Sequence, residues 1–75
     1  MIVTSDTDLA AVALGCGYEL ADPPLEQRGP RVFWRIDTDD DLHSRFYVQT
    51  SGDFATGRRT LMARKFLIGK AKEVT

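Results

Sequence analysis

The sequence has very little of what most chemistry needs. It has one cysteine, one histidine and three prolines in 75 residues. A single cysteine forms no internal disulfide, so the chain does not read as a stapled secreted mini-protein, and a reducing cytoplasm is its expected setting. One histidine and one cysteine fall short of the three or four ligands of a zinc site. No apolar run approaches the ~18 residues of a bilayer span, so no membrane partner is expected. The start, Met1-Ile2-Val3-Thr4-Ser5-Asp6, has neither the basic nor the apolar segment of a signal peptide. Neither a phosphate loop nor a dinucleotide fingerprint occurs; Gly15-Cys16-Gly17 follows a helical pattern and lacks the remaining glycine spacing.

What is present suits one small domain over residues 1–75, with 43% apolar and 28% charged residues. The net charge of −1 hides two opposed halves. Residues 1–43 hold nine acids and three bases, and residues 44–75 hold seven bases and two acids. Such asymmetry fits a charged partner, a second copy of the chain, or ordinary complementing of helix dipoles.

The pattern predicts α+β architecture in the order α-β-β-α-α, with an antiparallel hairpin packed against helices. Ser5 and Asp8 form a capping-box pattern, and Leu9, Val12, Ala13 and Cys16 follow at helical spacing. Gly15 and Gly17 mark the end of that helix. Tyr18–Ala21 reads as a short strand stopped by Pro23-Pro24, and 25–30 as a long loop. Arg31–Ile36 is the best strand, with Val32, Trp34 and Ile36 on one face and Arg31, Phe33 and Arg35 on the other. Thr38 and Asp41 repeat the capping pattern ahead of Leu42 and Phe46. A last helix is expected from about Thr56 to about Glu73.

On that helix Arg58, Lys65 and Lys72 fall within about 40° of one another. Ala63, Phe66, Leu67, Ala71 and Val74 lie mainly opposite and read as its buried face, with Met62 and Ile68 flanking the stripe. The expected core is Leu9, Val12, Ala13, Cys16, Leu20, Val32, Trp34, Ile36, Leu42, Phe46, Leu61, Phe66 and Leu67.

The segment Asp6-x-x-Leu9-Ala10-Ala11-x-x-Leu14-x-x-Gly17-Tyr18-Glu19-Leu20 resembles the opening of a small uncharacterised domain family of bacteria and their phages and prophages. Val32–Leu42 is similar to that family's strand-into-helix passage, and the basic tail after Asp53 is more loosely similar to its closing helix. The Pro23-Pro24 stretch departs from its usual shorter connection. The resemblance implies a phage or prophage setting. Its motifs are apolar and capping residues, and it transfers no functional residue.

Candidate chemistry runs out quickly. Asp37, Asp39 and Asp41 match the first ligand positions of a calcium loop, but Leu42 stands where glycine is needed and Val48 where a bidentate glutamate is needed. Cys16 and His43 are nucleophile and base by type, but Cys16 lies on the apolar stripe of a helix, where a thiol is inert. The reading is therefore a chain that is not an enzyme and carries no cofactor and no metal.

Two binding surfaces remain. Arg31, Phe33 and Arg35 combine the aromatic and Arg residues that anchor protein interfaces. Arg58, Lys65 and Lys72 form a row of cations suited to phosphates, although the isoelectric point of about 5.7 is low for a nucleic-acid-binding domain. The first expectation is a non-enzymatic protein-binding module, a phage or prophage accessory protein with an unidentified protein partner. The alternative is a nucleic-acid-binding accessory protein. A third reading is a self-associating structural component, a homo-oligomer.

Overall fold

The computed structural model describes residues 1–74. The elements run β1 (Ile2–Thr4), α1 (Thr7–Gly15), β2 (Leu20–Arg28), β3 (Arg31–Ile36), α2 (Leu42–Tyr47) and α3 (Asp53–Val74). The fold is α+β, and the order helix-strand-strand-helix-helix follows a short leading strand. That strand was not expected, because three residues are too few to show alternation. The sheet is antiparallel with order β1-β3-β2, so β3 is central.

Helix α1 begins at Asp6, whose carboxylate accepts from the Leu9 backbone N–H at 3.1 Å. Asp6 rather than Ser5 is the cap. The helix ends where expected, with Gly17 at φ +100 in the left-handed region open to glycine. Asp41, not Thr38, caps α2 by accepting from Ser44 N–H. The Thr38 hydroxyl instead accepts from Asp40 N–H and holds the turn before it.

The prolines do not stop β2. It runs through Pro23-Pro24, and Asp22-Pro23 is cis. This is tolerated because β2 is an edge strand, where a missing N–H faces outward. Its register slips between Leu20, opposite Ile36, and Leu25, opposite Trp34. The strand thus bulges around the prolines. Arg28 pairs with Arg31, so the hairpin turns on Gly29-Pro30 alone, with Gly29 at φ +60. Gly29 supplies the positive φ that a type II′ turn needs at its first central position, and the fixed negative φ of Pro30 suits the second. The long loop expected here is strand.

The core gathers Leu9, Val12 and Ala13 of α1 with Ile36, Leu42, Phe46 and Phe54. Ile2, Cys16, Tyr18, Leu20, Trp34 and Leu61 pack partly against it. Three expected core residues lie elsewhere. Val32 is exposed because the hairpin tip reaches past the helices. Phe66 and Leu67 are 62% and 64% exposed, because α3 outruns the domain body. The radius of gyration is 14.1 Å, against about 11 Å for a compact chain of this length.

Helix α3 lies antiparallel on α1. Gly57 meets Val12, and farther along α3 Lys65 pairs with Asp8 at the other end of α1. A Cβ on Gly57 would sit 2.8 Å from Val12 Cγ1. This contact sets the spacing of the two helices. Gly57→Ala is therefore expected to destabilise by about 1–2 kcal/mol despite alanine's better helix propensity. Chemical denaturation checks this, and Val12→Ala/Gly57→Ala should lose less than the sum of the single changes.

Candidate functional site

The sheet has two unlike faces. Ile36 and Trp34 face the helices; Ile36 is buried, and Trp34 Nε1–H donates to Thr7 Oγ1 of α1 at 3.2 Å. Alternation puts Arg31, Phe33 and Arg35 on the other face, as expected. Register sets Arg28 opposite Arg31, Glu26 opposite Phe33 and Val3 opposite Arg35. The Arg28 guanidinium stacks over the Phe33 ring at 5.0 Å, and its Nε pairs with Glu26 at 2.6 Å. Arg35 donates to the Pro23 carbonyl at 2.7 Å. An aromatic ring is thus set among three guanidinium groups and one carboxylate. Arg28 was not singled out from sequence, because its place beside Phe33 depends on the tight turn at Gly29-Pro30.

The basic stripe has a different position. Phe54, Ala55 and Leu61 fix the inner side of α3, and Arg58 and Lys65 share that side. Arg58 is half-buried and donates to the carbonyls of Phe46 and, at 3.2 Å, Gln49. It thereby caps the C-terminal end of α2, a favoured place for a cation. Lys65 pairs with Asp8, and Lys72 is exposed two turns beyond. The amphipathic reading of this helix is thus turned over. The residues expected to face the core, Ala63, Phe66, Leu67, Ala71 and Val74, are all exposed.

The acidic turn is committed to local structure. Asp41 caps α2, Asp40 accepts from the Tyr18 hydroxyl, and Asp39 pairs with the terminal amine of Met1. That amine holds the Asp39 carboxyl below its ordinary value, and the bond to Asp40 raises the Tyr18 phenol above its own. No group of three His, Cys, Asp or Glu side chains that could hold a metal occurs among the described residues. His43 stacks on Tyr47 with ring centres 6.3 Å apart.

Cys16 borders an open hollow of about 410 Å³, with Tyr18, Arg45, Gln49, Asp53 and Phe54 among its walls. Burial, and secondarily the charge of Asp53, raises its thiol pKa. The neutral thiol is therefore favoured, which is the reverse of an activated nucleophile.

No family model matches the chain, and neither curated proteins nor solved structures give a match. The resemblance of residues 6–20 and 32–42 to a small domain family of bacteria and their phages and prophages has no counterpart in these comparisons. Among the described residues no helix is long and apolar enough to cross a membrane.

Two outcomes follow from this geometry. Arg58→Ala should lower stability by about 1–3 kcal/mol, because two carbonyls lose a charged donor, and thermal unfolding reads it. Cys16 should react with iodoacetamide more slowly than an unstructured cysteine peptide at about pH 8, since a raised pKa leaves less thiolate. Mass spectrometry of the alkylated fraction over time measures the ratio.

Proposed function

We propose that the chain is a non-enzymatic protein-binding module whose docking face is the open side of the sheet. The observation that carries this reading is Phe33 set among Arg28, Arg31 and Arg35, on the side of the sheet away from α1. Aromatic side chains lose little entropy when they dock, guanidinium groups pair with carboxylates, and this composition recurs at interface anchors. The matching partner segment is acidic with an apolar anchor. A phage or prophage accessory role in the bacterial cytoplasm accords with the sequence resemblance and the single cysteine.

The alternative, nucleic acid held by the basic helix, has weaker support. It calls on Arg58, Lys65 and Lys72. Arg58 is half-buried and its guanidinium already serves the end of α2, so phosphate binding would need that contact to be given up, while the exposed Lys65–Asp8 pair would yield at little cost.

Fluorescence anisotropy separates the two. The probes are a labelled peptide of alternating Glu and Phe, and labelled single- and double-stranded oligonucleotides. The protein-binding reading expects the peptide to bind and Arg31→Glu/Arg35→Glu to weaken it at least about tenfold. Oligonucleotide binding that falls steeply with salt and is lost in Lys65→Ala/Lys72→Ala, with no peptide binding, would put the alternative first.

A further inference from the structure

The outer face of α3 is a second surface, separate from the sheet face and independent of the reading above. Met62 and Phe66, neighbours at i, i+4 on one face, are 63% and 62% exposed, on a part of the helix that projects past the domain body. Exposed apolar side chains clustered along one helix face mark an association site.

Their surroundings specify the occupant. Around Phe66 the sequence of this face is arranged symmetrically. Met62 and Lys70 stand four residues before and after it, Ala63 and Gly69 three, and Arg59 and Glu73 seven. At 100° per residue all six lie within about 60° of Phe66 on the helix surface. We propose that α3 pairs with the α3 of a second copy, antiparallel, with a two-fold axis through Phe66.

That axis sets Phe66 against its own image and, twice each, Met62 against the Lys70 stem, Ala63 against Gly69 and Arg59 against Glu73. Two-fold pairing makes one surface its own complement. The face bears a central aromatic ring, small residues beside it, and Arg59 and Glu73 at its two ends, charges that meet their opposites when the helices run antiparallel. Gly69 finds a purpose here. A Cβ there would meet nothing within 4 Å in its own chain, so this costly helix glycine has no internal role. Across the axis it gives a neighbouring helix room to approach. The Lys70 ammonium lies 5.6 Å from the Phe66 ring centre and 3.5 Å from Glu73, and the Arg59 guanidinium donates to the Thr50 carbonyl at 3.3 Å; all three contacts are exposed. Such exposed contacts are weak and reorganise at little cost. The opposite charges at the ends argue for a second copy over an unrelated basic or acidic helix, which would match only one end.

Sedimentation equilibrium on the full chain tests this, up to about 0.5 mM, because a small contact between two single helices binds weakly. The wild type should reach the dimer. Phe66→Asp should be monomeric throughout, with circular dichroism and dilute-solution melting unchanged because the position is exposed. Glu73→Arg, which sets like charges together twice, should weaken the dimer about fivefold or more. Arg59→Glu/Glu73→Arg should restore it. A monomeric wild type at the highest concentration, a dimer that survives Phe66→Asp, or a double reversal that fails to recover the single one would each overturn the proposal.

Discussion

Everything in this domain is arranged around one short helix. Helix α1 is the element that meets the sheet, α2 and α3, and nearly half of its nine residues are buried. Its sequence after Asp8 is apolar almost without interruption, which is the composition of a helix contacted on several sides. The closest of these contacts is Val12 on Gly57. It holds α3 at a spacing that only glycine permits, and so fixes the rotation of α3 about its own axis.

That rotation determines the surface. With Gly57 and Leu61 turned to α1, Arg58 reaches the end of α2 and Lys65 reaches Asp8. The same rotation turns Met62, Phe66 and Leu67 outward. The opposed charge of the two halves is thus partly used inside the molecule, where the basic helix meets the acidic start of α1. A strongly polar stripe can face a protein body when its charges find partners there, and long Lys and Arg stems can lie along apolar surface.

Much of the fold is legible in local sequence. The glycines that end α1, the alternation of Arg31–Ile36 and the aspartates ahead of Leu42 each act within a few residues, and each mark an element that forms. The two faces of β3 follow from alternation alone. Arg28 joins the sheet face only because the hairpin turns on two residues, and a turn that tight is hidden when Pro23-Pro24 is taken as a strand end. Edge position overrides that rule, and edge position is a property of the sheet.

The identity of α1, β3, α2 and α3, the class α+β and the face shared by Arg31, Phe33 and Arg35 were determined by sequence, because propensity, capping and period are short-range. The direction in which α3 faces was decided only by tertiary structure. Its apolar residues are spread around the helix, so periodicity defines two faces without saying which is buried. Close packing at Gly57 and the pairing of Arg58 and Lys65 across the chain made that choice, and they left the apolar face of Phe66 on the outside.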